Sequence, residues 1–128
     1  MGLMPNNSNS VIYIDYTSEF KRNLRTLAKK YRHIRSDIQP LINQLQTGTL
    51  IGNQIKGSST TLFKSRARNS DIKKGKSSGY RVIYWQKTSH HLILVTIYSK
   101  LDQSDISPQQ IQRIIKHFSQ AVQDAQGV

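Results

Sequence analysis

The run Leu92-Ile93-Leu94-Val95-Thr96-Ile97 is apolar at every position but one. It does not alternate apolar with polar residues, so a strand built from it has no face suited to water. It reads as a central strand, covered on much of both faces, and the rest of the chain must supply its neighbours. Gly79 to Gln86 carries Val82-Ile83-Tyr84-Trp85 and meets a strand His91 to Tyr98 through the polar turn Lys87-Thr88-Ser89-His90. Upstream, Leu62 to Arg68 alternates: Lys64, Arg66 and Arg68 project from one face, Phe63, Ser65 and Ala67 from the other. Three strands in succession predict an antiparallel three-strand meander.

The flanking segments predict helices and one more strand. Val11 to Tyr16 is β-branched and aromatic, hence a strand. Thr17 or Ser18 then caps a helix with Glu19 in its first turn and Phe20, Leu24, Leu27, Ala28 and Tyr31 as its buried stripe. Its basic remainder is a solvated surface or a docking face for an acidic partner. A second helix spans Ser36 to Thr47, with Pro40 in the first turn and Gly48 as its stop, and forms a hairpin with the first. Thr49 to Ser59 reads as a loop. Ser107-Pro108-Gln109-Gln110 is a capping box that opens a last helix burying Ile111, Ile114, Ile115, Phe118 and Val122. The fold class is α+β: an N-terminal strand and two-helix hairpin, the meander, and a C-terminal helix. One domain covers 11–122, with a loose Asn/Ser-rich tail over 1–10 and a frayed tail over 123–128.

Charge narrows the function. Nineteen Lys and Arg oppose seven Asp and Glu, a formal net charge of +12. A polyanion is the natural partner, with a nucleic acid first and an acidic protein second. There is no cysteine, which excludes disulfides, zinc ribbons and thiol catalysis. No run approaches the roughly 18 apolar residues of a membrane span, and the start lacks a signal peptide's apolar core, so a cytoplasmic protein is expected. The carboxylates show no metal or acid/base spacing; Asp102 and Asp105 read as charges before the last helix. His90 and His91 are adjacent, so their side chains diverge. No metal and no cofactor is expected.

What remains is cationic. Lys73-Lys74-Gly75-Lys76-Ser77-Ser78-Gly79-Tyr80-Arg81 sets three lysines and an arginine around two glycines at the mouth of a strand. It is either a flexible basic hairpin loop or a cradle whose backbone N–H groups and cations hold an anion. The preceding strand favours the cradle, because a row of like charges repels itself unless a polyanion lies across it. Lys64, Arg66, Arg68, Lys73, Lys74, Lys76, Arg81 and Lys100 are the candidate nucleic-acid contacts, with Tyr98 nearby. Such a group binds phosphodiesters by charge. It also suits RNA cleavage without a metal, since RNA carries its own nucleophile in the 2′-OH. That reaction needs a base, cations for the charge on phosphorus, and an acid for the leaving oxygen. A lysine crowded by cations suits the base.

These residues resemble the RelE/ParE superfamily of toxins from bacterial type II toxin–antitoxin systems. The resemblance runs from about Val11 to Val122. It is carried by Lys74-Gly75-Lys76-Ser77-Ser78-Gly79-Tyr80-Arg81-Val82-Ile83-Tyr84, by Thr96-Ile97-Tyr98-Ser99-Lys100 with Asp105-Ile106-Ser107, and by Phe63-Lys64-Ser65-Arg66. It implies a toxin neutralised by a cognate antitoxin with an acidic segment. RelE-like members cut mRNA on the ribosome; ParE-like members inhibit DNA gyrase; a third possibility is an inactive member that only binds its antitoxin. For the nuclease the resemblance implies Arg81 on the scissile phosphate and Lys64 and Arg66 as the basic pair, with Lys74 or Lys76 as the alternative. Lys64, Lys74 and Lys76 would bind RNA or supply the base, and Tyr98 or Lys100 are the candidate substitutes where the chain departs from the family pattern. The chain departs from the pattern at Leu101 and Ser107, where the nucleases usually place an arginine and a tyrosine.

Overall fold

The computed structural model describes residues 11–72 and 78–126. In chain order the elements are β1 (Tyr13–Tyr16), α1 (Ser18–Lys30), α2 (Ile34–Gln46), β2 (Asn53–Ile55), β3 (Leu62–Ala67), β4 (Tyr80–Thr88), β5 (His91–Ser99) and α3 (Pro108–Gln126). The protein is a small α+β domain whose strands form one five-stranded mixed sheet in the order β1-β5-β4-β3-β2. It is not limited to a three-strand meander. β1 joins the β5 edge in parallel, and the short β2 pairs antiparallel with β3 inside what the sequence reads as a loop. Three residues, two of them Asn and Gln, carry too little pattern to announce a strand.

Alternation sorts the sheet's two faces. Ala67, Tyr80, Val82, Tyr84, Leu92, Leu94 and Ile97 face the main core with Phe20, Tyr31 and the α2 residues Ile34, Ile38, Leu41, Ile42 and Leu45. Leu62, Ile83 and Val95 face a smaller core under Ile111 and Ile115 of α3. The run at 92–97 is therefore buried on both sides, between the two cores. Thr17 is the N-cap of α1, its hydroxyl oxygen accepting the Phe20 N–H at 2.9 Å. The same hydroxyl donates to the Val95 carbonyl at 2.6 Å, which fixes the entry of α1 to the central strand.

Two helix boundaries differ from expectation. α2 begins at Ile34, not Ser36, so Pro40 lies in the helix interior. The earlier start buries Ile34 completely and gives the Asp37 N–H the His33 carbonyl at 2.9 Å. That gain outweighs the hydrogen bond that Pro40 denies to the preceding turn. α3 opens as the capping box predicts, with Gln110 N–H donating to Ser107 Oγ at 3.2 Å, and continues through Gln126 past the expected fraying point at Gln123.

Candidate functional site

Register brings the cationic residues together. On β3 and β4, Arg66 is the direct partner of Arg81, and on β4 and β5, Arg81 is the direct partner of Tyr98. Opposed residues in an antiparallel pair share a face, so Arg66, Arg81 and Tyr98 form a line across three strands. Lys64 lies two residues before Arg66 on the same face, opposite Ile83. This is the face that α3 covers further along through Leu62 and Ile83.

A cleft of about 780 Å³ opens beside this line, between Gln44, the Ile51-Gly52-Asn53 segment, Lys64, Arg66, Arg81 and Lys100. Its wall depends on Gly52. That residue has φ +97°, and a Cβ there would collide with the Lys64 carbonyl. Only glycine lets the two backbones approach so closely. Gly79 serves a different end: its φ is not positive, and a Cβ would strike the Ala67 carbonyl. It provides room for β3 to pass beside the start of β4.

The cations are not equivalent. Arg81 is buried, only 6% exposed, and donates to the Tyr80 carbonyl at 3.3 Å. Burial, and after it the charge of Arg66, pulls its guanidinium below the ordinary value. Arg66 is exposed at the cleft. Lys100 follows β5, lines the cleft, and donates to the Ser104 carbonyl at 2.5 Å. Arg68 lies beyond the end of β3, exposed and apart from the cleft lining. Lys73, Lys74 and Lys76 lie outside the described residues.

Tyr98 lines a neighbouring cleft of about 350 Å³ that also includes Asn23, Asp102, Ile106 and Arg113. Its phenol is pushed up to about 12, first by burial and then by Asp105, so it stays protonated at neutral pH.

One contact within the site escapes the sequence reading. Asp105 does not act as a charge before α3. Its Oδ1 accepts the Lys64 ammonium at 2.8 Å, the Tyr98 hydroxyl at 3.3 Å and the Ile106 N–H at 2.8 Å. These contacts, Lys64 first, hold its carboxyl below the usual carboxylate range. Asp102 likewise has a partner outside α3 and pairs with Lys30 at 2.8 Å. No spacing signalled the Lys64–Asp105 contact, because it joins positions 41 residues apart.

Ser107 and Leu101 offer the cleft no chemistry. Ser107 is engaged by the capping box and Leu101 is an exposed apolar side chain. Among the described residues no group of His, Asp and Glu is arranged to hold a metal ion, and no helix is long and apolar enough to cross a membrane. The chain matches no protein-family model, no curated protein and no solved structure.

Proposed function

We propose that this chain is a RelE/ParE-superfamily toxin of a type II toxin–antitoxin system, with a RelE-like layout, and that it blocks translation by cutting mRNA on the ribosome. The observation that carries the reading is the register line Arg66–Arg81–Tyr98 beside a cationic cleft. Two guanidinium groups on adjacent strands match the charge that builds on a phosphodiester as the 2′-oxygen attacks phosphorus. The bond to the 5′-oxygen then breaks, leaving a 2′,3′-cyclic phosphate and a 5′-hydroxyl end. Arg81, fixed by burial, is the transition-state cation, and Arg66 its exposed partner. Tyr98, protonated at neutral pH, is a proton donor within the same line. Lys64 and Lys100 bind the RNA backbone, with Lys74 and Lys76, between β3 and β4 in the chain, as further cations and Lys76 as a candidate base.

The proposed partners follow from the same charge. A cognate antitoxin would lay an acidic segment over this face and relieve its self-repulsion, so association should slow as salt rises. The reading is tested by inducing the wild type and Arg81→Ala in a host without antitoxin while pulse-labelling with methionine and thymidine. Methionine incorporation should collapse in the wild type and persist in the variant. Intact protein synthesis with falling thymidine incorporation would overturn the nuclease reading and point to gyrase inhibition.

A further inference from the structure

Lys64 and Tyr98 reach the same carboxylate oxygen from two different strands, at 2.8 and 3.3 Å, and the Ile106 N–H completes the set at 2.8 Å. An ammonium, a phenol and an amide converging on one anionic oxygen are the donors that a phosphate oxygen recruits. The oxygen they hold is supplied by the chain itself. Asp105 belongs to the segment between β5 and α3, and its side chain is 63% exposed, so it can swing into solvent without opening a buried gap.

We propose that Asp105 is a self-supplied occupant of a phosphate subsite formed by Lys64 and Tyr98, and that single-stranded RNA must displace it to bind. The inference rests on the RNA reading of the cleft and adds a regulatory residue to it. In the free protein Asp105 neutralises Lys64 and engages the Tyr98 proton. When a backbone phosphate enters, both donors transfer to it and the carboxylate leaves. Asp105 thereby weakens binding of any polyanion that does not reach this subsite firmly enough to expel it. A merely structural ion pair would behave differently: it is solvent-exposed, and its removal would change stability slightly and binding no more than any other lost negative charge.

The test measures binding alone. A labelled single-stranded oligodeoxynucleotide, which lacks the 2′-OH and is not cut, is titrated against the full-length chain across a salt series. Asp105→Asn keeps an acceptor oxygen for Tyr98 and Ile106 but removes the charge that holds Lys64. Asp102→Asn is the control, because it removes the same charge from the same segment where the partner is Lys30. Asp105→Asn should bind about three- to fivefold tighter than Asp102→Asn at low salt, the scale of an exposed ion pair. Its salt slope should steepen by about 0.7, one further phosphate contact on a single strand. Equal affinities for the two variants, or weaker binding by Asp105→Asn, would overturn the inference while leaving the RNA reading intact. Failure of wild type and both variants to bind at all would likewise overturn the inference, whereas the RNA reading stands or falls on the methionine pulse-label.

Discussion

Arg66 on β3 and Arg81 on β4 stand directly opposite each other, two guanidinium groups on one face of the sheet. Like charges in that position are destabilising, on the scale of the about 0.2–1 kcal/mol that cross-strand pairs carry. Arg66→Gln should therefore raise stability by about 0.5 kcal/mol at low salt, read from the urea midpoint. The gain should fade as salt screens the pair, and oligonucleotide binding should weaken in the same variant. A midpoint that falls at low salt would show that Arg66 is structural.

Gly52 and Gly48 both have positive φ, +97° and +90°, but only Gly52 faces backbone. Gly48→Ala meets open space and should lose about 1 kcal/mol to the left-handed conformation alone. Gly52→Ala adds a collision with Lys64 and should lose more than about 2 kcal/mol, with β2 separating from β3 and the cleft deforming. Thermal unfolding of the two variants side by side decides the matter. Equal losses would remove Gly52 from the site's framework.

Asp71 ties the segment after β3 to the start of α2. Its carboxylate accepts the His33 ring nitrogen at 2.6 Å and the His33 N–H at 2.9 Å. Those two contacts, the ring first, hold its carboxyl below the ordinary value. A depressed carboxyl stabilises the fold above its unfolded pKa of about 4 and loses that contribution as pH falls through the lower folded value. Melting curves of wild type and Asp71→Asn should therefore differ at pH 6 to 7 and converge in acid, on the order of pH 2. A gap that persists undiminished at low pH would rule the carboxylate out as its source.

Tyr98 is the proposed proton donor, its phenol pushed up to about 12. Tyr98→Phe keeps the ring and loses the hydroxyl, so it should lower the cleavage rate on the order of tenfold to a hundredfold with little change in melting temperature. Unchanged cleavage would remove Tyr98 from the proposed chemistry.

Local signals survive into the fold, and long-range ones do not precede it. The Thr17 cap, the Ser107–Gln110 box and the doubly buried run at 92–97 were legible because each rests on residues within one element. Pro40 misled, since a proline predicts a first turn more often than an interior, and nothing local announced that burying Ile34 would extend the helix backwards. The candidate site was half legible. Alternation put Lys64 and Arg66 on one face, but alignment of Arg66 with Arg81 and of Arg81 with Tyr98 depends on strand register, which the sequence does not print. Asp105 was misassigned for the same reason: its partners lie on β3 and β5, and only the folded chain brings them to it.

The central claim is that the Arg66–Arg81–Tyr98 line cuts RNA, and the most direct measurement is cleavage of an mRNA held on programmed ribosomes by the purified full-length chain. The account predicts cuts within the reading frame that end in a 2′,3′-cyclic phosphate, a block when the 2′-OH at the cut site is replaced by hydrogen, and a loss of about a hundredfold or more in Arg81→Ala. Intact mRNA with the wild type, or equal cutting by a folded Arg81→Ala, would contradict it.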